Sequence, residues 1–424
     1  MIKKTILLIS ILIVTGGSVA FCAESGISGD IFGKYTGIFH PFLSLTEVYS
    51  SNIYKTDDDT DGDLTTVITP GVWIALPGTK EKMLTLETSN TAPGGLSISR
   101  TKPETFRRYQ SYLLMDSDIK TNLEYSDANI VDFKADGFFQ YNLRGGLSFD
   151  FIDQLRNAHE PYGLGVSDAQ DRYTSNLFQL IVSYDITEKV AVRADYANFL
   201  LQYDSELVDY ADRSDNRFSG YLFYRIKSKT ALFTEIEFMD ISYRISDTDS
   251  SEFRYFVGVS WDVTAKSKGS FKAGFGNKTF DNDVYAQGDG SNMVLELKVE
   301  HRFTPKTSLK LTGVRRTEET TIQDTYYSLV NSLTAEYLQM VNEKITMNGQ
   351  LLYSNEQYEG AVDYTGLGVE ERKDNKFGFS VGMKYVFREW LTGEVAYVYN
   401  IRNSNIDGVE YNDHTMIFNI TGAL

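Results

Sequence analysis

The chain has 424 residues, 42% of them hydrophobic, a single cysteine, and a formal charge of −17. That balance excludes a nucleic-acid partner, whose phosphates would be repelled, and does not suit a peripheral protein drawn to anionic lipid. With Cys22 as the only thiol there is no disulfide framework, so stability has to come from backbone pairing and packing.

Residues 1–23 read as an export signal. Lys3 and Lys4 form the basic region and Thr5 to Val14 an apolar region too short for a membrane anchor. Ser18-Val19-Ala20 offers small residues at the cleavage spacing, with Ala23 a second candidate. Cys22 raises a lipoprotein alternative that Phe21 fits poorly. Without the two lysines the charge becomes −19. Residues 24–37 are expected to be a short periplasmic segment, and no later stretch approaches the roughly 18 apolar residues of a spanning helix.

From residue 38 to residue 424 the pattern alternates with period two. Met293, Leu295, Leu297 and Val299 interleave with Glu296, Lys298 and Glu300; Phe377, Phe379, Val381, Met383 and Phe387 interleave with Gly378, Ser380, Lys384 and Arg388. In a strand such sets lie on opposite faces, one greasy and one charged. Eighteen strands are expected, the first four over 38–49, 64–76, 81–90 and 129–141 and the last over 412–424. Their connections alternate between short turns, such as Pro77–Lys80, Asp185–Lys189 and Thr304–Lys306, and long acidic loops, such as 50–63, 91–128 and 204–214.

This asymmetry is the layout of a transmembrane antiparallel up-and-down β-barrel, with short periplasmic turns and long extracellular loops. A helix-free span has to close on itself, because lipid offers no partner to a free N–H or C=O. The last strand, with Met416, Phe418, Ile420, Gly422 and Leu424 on one parity, has the alternating form of a signal to the barrel-assembly machinery. It lacks the usual terminal aromatic residue. A large soluble sandwich or propeller is the rival, but strands of 10–14 residues are long for one.

An 18-stranded barrel is wide enough for a water channel. The expected pore-lining side chains are Arg193, Asp195, Glu235, Glu237, Glu296, Lys298, Glu300, Lys384, Arg388 and Glu394. Aromatic residues near strand ends, including Tyr49, Trp73, Phe139, Tyr184, Tyr203, Tyr224, Tyr243, Phe303, Tyr353 and Phe387, would form the interfacial girdles.

Catalytic and metal signals are thin. Asp57, Asp59, Asp61 and Gly62 match half of a calcium loop, but Ile68 stands where its bidentate Glu belongs. His40, His159, His301 and His414 fall in no metal spacing, and Ser117-Asp-Ile-Lys120 has none of the companion motifs of a serine enzyme. No catalytic residue, metal or cofactor is expected.

The phrase Tyr49-Ser-Ser-Asn52-Ile53-Tyr54, an acidic loop and then Thr69-Pro70-Gly71 with an apolar strand resemble the opening of the β-barrel porin-2 family of outer-membrane proteins. The motif-like part spans residues 41–76. The resemblance implies a bacterial outer-membrane location and a part in surface-polysaccharide (exopolysaccharide) export, and it transfers no functional residue. The expected partners are outer-membrane lipid, lipopolysaccharide, the assembly machinery and a polysaccharide. A passive pore or polysaccharide conduit, a structural or adhesive barrel with a plugged lumen, and a membrane hydrolase remain open at this point, as does the oligomeric state.

Overall fold

The computed structural model describes residues 37–423 apart from 59, 78–87, 99–107, 163–169, 265, 323–324 and 361–370. The expected signal and most of the expected periplasmic segment lie outside the described residues. The strands are β1 Phe39–Ser50, β2 Asp63–Leu76, β3 Tyr109–Asn122, β4 Ile130–Asn142, β5 Leu147–His159 and β6 Arg172–Asp185. There follow β7 Val190–Tyr203, β8 Arg213–Lys227, β9 Thr230–Tyr243, β10 Ser250–Thr264, β11 Ser267–Phe280 and β12 Gly290–Thr304. The last six are β13 Thr307–Glu318, β14 Tyr327–Met340, β15 Ile345–Glu359, β16 Lys373–Arg388, β17 Leu391–Ser404 and β18 Tyr411–Ala423.

Each strand pairs antiparallel with its sequence neighbours, and β1 pairs with β18 from Phe42↔Ala423 to Ser50↔Thr415, which closes the sheet. Closure leaves no edge strand, so the backbone groups of the wall find partners around the whole ring. Every strand has 12–16 residues, more than the 9–11 that cross a hydrocarbon layer, so the barrel extends beyond it.

Period-two sorting sets the two faces. Val257 is 64% exposed, and Ile236, Phe418, Ile420, Leu351 and Phe377 are also exposed on the outside. Their neighbours in sequence Glu235, Glu237, Phe256 and Lys376 are buried inside. An exterior this apolar fits lipid; burying ionic groups inside requires partners. Of the expected girdle residues, Tyr49, Phe139, Tyr184, Tyr224, Phe303, Tyr353 and Phe387 do face out. Trp73, Tyr203 and Tyr243 do not: Trp73 packs on His40 with ring centroids 5.4 Å apart, Tyr203 bonds Glu160, and Tyr243 bonds Glu319. Each sits one parity step from the outward set of its strand, which distance from the strand end alone does not reveal.

One connection departs from the expected plan. At the short-turn end seven links have two to four residues, but β2 and β3 are joined by residues 77–108. Most of the expected third strand, 81–90, lies outside the described residues, and its last three residues, 88–90, are not in a strand. The third strand is Tyr109–Asn122, inside what reads as a loop. Its inner face carries Gln110, Tyr112, Leu114 and Asp116 and its outer face includes Ser111 and Ser117, so polarity does not alternate. The described sheet has 18 strands, with Tyr109–Asn122 in third place.

Candidate functional site

The middle of the 77–108 connection lies inside the barrel. Residues 88–98, Thr-Ser-Asn-Thr-Ala-Pro-Gly-Gly-Leu-Ser-Ile, form a tight reversal in which Thr88 bridges Leu96 and the Ser89 N–H donates to the Gly95 carbonyl at 3.1 Å. Pro93 followed by two glycines makes the turn: Gly94 and Gly95 have φ of 68° and 72°, the left-handed region that only glycine enters at low cost. Ala92 through Ser97 are all buried. We call this segment the strap.

Its roots, Leu76 and Tyr109, are at the short-turn end, yet its tip touches the opposite end of the wall. Arg213, Asp215 and Glu160 lie at the start of β8 and just past β5, and Glu318 and Glu319 lie at the end of β13. The Gly94 N–H donates to Asp215 at 2.9 Å. Arg213 donates to the Asn90 carbonyl. Arg316 donates to the carbonyls of Leu96, at 2.8 Å, and Ser97. The Glu319 N–H donates to the Thr91 carbonyl at 2.7 Å. Side chains add Asn90 to Glu160 at 2.8 Å and Thr91 to Glu318 at 2.6 Å. Leu96 completes the grip by packing on Leu177, Ala197, Phe199 and Leu201.

The wall itself bends to meet the strap. Pairing between β12 and β13 stops at Leu295↔Arg315, whereas β13 and β14 stay paired up to Glu318↔Ser328. The top of this hairpin therefore leaves β12 and turns into the lumen, which buries successive residues 316–319 and 327–330 on both faces. There Thr317 donates to Glu252 of β10 at 2.7 Å, and Lys278 of β11 and Tyr243 of β9 both donate to Glu319 at 2.7 Å. Strap and in-turned hairpin together narrow the mouth. Burial pushes the Glu160 carboxyl up, outweighing its bonds from Asn90 and Tyr203. Burial also acts upward on Glu319, but Lys278 and Arg213 outweigh it and hold that carboxyl below its usual range.

Most of the expected lumen residues are on the inner face, and they are not loose charges. Arg193 pairs with Asp195. Glu237 takes Arg217 and, at 3.4 Å, Arg254. Lys272 joins Glu235 at 2.8 Å and Glu296 at 3.3 Å. Glu300 lies 3.1 Å from Lys268, and Lys384 stands opposite Glu394 in register. Lys298 borders a small cavity below the strap. Arg388 is the exception in position: it ends β16 and is exposed at the rim. Among the described residues no group of His, Cys, Asp and Glu is arranged to hold a metal, and His40 makes a local bond to the Gly37 carbonyl at 2.9 Å.

The clamp residues Glu160, Arg213, Asp215, Arg316, Glu318 and Glu319 are absent from the sequence-based set. A signal exists in the pairs Arg213/Asp215 and Arg316/Glu318, opposite charges two apart and hence on one face of a strand. Their partner, the strap, carries no charge between Thr88 and Ile98 to mark it.

Residues 181–423 match the family described as "Putative beta-barrel porin 2". The phrases of residues 41–76 that carry the resemblance read from sequence lie outside that match. No curated protein matches the chain. Among solved structures it is similar to OccAB4 of Acinetobacter baumannii, at 10% identity over 92% of this chain and 99% of that one, with a TM-score of 0.45. It is also similar to OpdK of Pseudomonas aeruginosa, at 9% identity over 91% and 99% with a TM-score of 0.45. OpdO of the same organism gives 8% over 91% and 97%, with a TM-score of 0.44.

Proposed function

From the premise that this chain belongs to the β-barrel porin 2 family, whose match covers more than half of it, we propose that it is a gated outer-membrane conduit for a polar solute leaving the cell, with the strap as its gate. One observation carries this reading. The element that closes the mouth from within hangs from Leu76 and Tyr109, at the rim that barrel convention places in the periplasm. A gate rooted there is open to control from inside, which suits export better than uptake. The lumen supports the solute class: many of its buried ionic side chains are paired, as Arg193 with Asp195, Lys272 with Glu235 and Lys376 with Glu356, so these parts of the wall offer hydrogen bonds rather than bare charge. A neutral or weakly anionic polysaccharide strand fits such a wall. The transport carries no chemistry of its own, and no residue is assigned a catalytic role.

The burial of the strap tip favours a second reading, a structural barrel whose plug never leaves. Planar-bilayer recording separates the two. Deletion of residues 88–98 should convert a nearly silent protein into one with stepwise openings. A full-length protein that never opens while the deleted barrel conducts would establish the structural reading instead, and a deleted barrel that stays silent would remove the strap as the closing element.

A further inference from the structure

The seven short turns have a charge balance opposite to that of the whole chain. Counted with the strand residue on either side, they carry eight Lys or Arg and four Asp or Glu, in a chain of formal charge −17. Residues 204–212, at the other rim, hold four acidic side chains and no basic one.

In six of these turns a cation stands beside a large apolar side chain. Leu143 precedes Arg144, Ile186 is followed by Lys189, and Ile226 by Lys227 and Lys229. Phe303 is followed by Lys306, Val341 by Lys344, and Trp390 comes just after Arg388. All are exposed, the apolar members by 37–53%. Among the described residues Arg144, Lys189, Lys229, Lys306, Lys344 and Arg388 are in no ion pair, whereas Arg193 and Lys272 of the lumen are paired. The apolar exterior runs down to this rim: β8 exposes Phe218, Leu222 and Tyr224 before Ile226, and β16 exposes Val381, Met383 and Phe387 before Trp390. The cations follow at its edge.

We propose that this rim is a binding ring for the anionic phospholipid headgroups of the leaflet at the short-turn end. The apolar member of each pair would lie among the first acyl carbons, and the neighbouring ammonium or guanidinium would reach the headgroup phosphate. Two features favour lipid over an acidic protein. The pairs recur from the β4–β5 turn round to the β16–β17 turn, whereas a specific protein partner covers one contiguous face. They also continue an exterior that already faces hydrocarbon. The ring is independent of the strap and of what the barrel carries.

Tryptophan fluorescence reads this rim. Trp390 is exposed on it and Trp261 lies near the same end of β10, while Trp73 is only 1% exposed. In a Trp261→Phe background, the full chain folded into phosphatidylcholine vesicles receives phosphatidylglycerol brominated on its acyl chains or, in parallel, brominated phosphatidylcholine. Phosphatidylglycerol should quench Trp390 with an association at least about threefold stronger, a preference that disappears in roughly 1 M salt. Lys344→Gln combined with Arg388→Gln should bring the ratio to one. Lys373→Gln, at the opposite rim, should leave it unchanged. Heat-modifiable gel mobility confirms that each variant is a folded barrel. The ring is overturned by a ratio of one in the parent, by a preference that survives the double variant, or by an equal loss in Lys373→Gln. A rim without lipid preference that binds poly-L-glutamate would be a docking face for an acidic partner instead.

Discussion

Arg213 and Asp215 stand two residues apart on the inner face of β8 and hold the two sides of one turn: Arg213 grips the Asn90 carbonyl and Asp215 the Gly94 N–H. They also pair with each other, at 3.2 Å. Both engage main chain, so they read the shape of the turn and not the identity of its side chains. The clamp is therefore strong only while the Pro93-Gly-Gly reversal keeps its form.

Weakening the clamp should open the channel without unfolding the barrel. Hydrogen bonds involving a charged group contribute about 1.5–3 kcal/mol, which at about 1.4 kcal/mol per factor of ten is roughly ten- to a hundredfold in the closed-to-open ratio. Asp215→Asn and Arg316→Gln should each raise open probability in planar bilayers by about that factor. Unchanged gating in both would mean that the strap is held by something other than these contacts.

A glycine substitution attacks the turn itself. A Cβ at Gly95 would drive into the Phe199 ring, and its φ of 72° is unfavourable for any side chain. Gly95→Ala should unseat the strap and give a constitutively conducting barrel with normal heat-modifiable mobility. A variant as silent as the parent would show that the tip is not where closure occurs.

How far the sequence spoke for itself can be judged on these same elements. Alternation along β12 and β16 revealed membrane strands because lipid and the polar interior demand opposite residues at successive positions, and that demand is local. The strap escaped because its role is set by distant partners. Leu84 and Leu86 alternate with Thr85 and Glu87 as in a strand, while the buried 92–97 stretch is small and uncharged. The inward turn of β13 and β14 was equally hidden. Nothing in Arg316-Thr317-Glu318 tells a strand that both of its faces will be covered, whereas the lumen charges Glu235, Glu237 and Glu296 were visible as single-face outliers.

The two faces make unequal demands, which can be measured. Val257 lies near the middle of β10 on the exposed apolar side. Val257→Arg places a cation against hydrocarbon at a cost of about 2–4 kcal/mol near the midplane. Urea titration of folding into lipid vesicles should show a loss of that size, with Val257→Leu close to the parent. An unaffected Val257→Arg would place that face out of contact with lipid.

Closure should depend on pH through Glu160. Burial raises its carboxyl above the ordinary value in the closed arrangement, while withdrawal of the strap exposes it to water and returns it toward that value. The closed state thus binds the proton more tightly, so acidification through the raised range stabilises closure, and that gain is lost as pH rises past the raised value. Glu319 works in the opposite sense: held below its usual range by Lys278 and Arg213 after burial is offset, it loosens the hairpin only when pH falls below the ordinary carboxylate range. Open probability should therefore drop as pH is lowered through the range above the ordinary carboxylate value and recover in part below it. Glu160→Gln should remove the first limb and keep the second. A parent protein whose gating is flat across this range, or a Glu160→Gln variant that retains the first limb, would remove Glu160 from the latch.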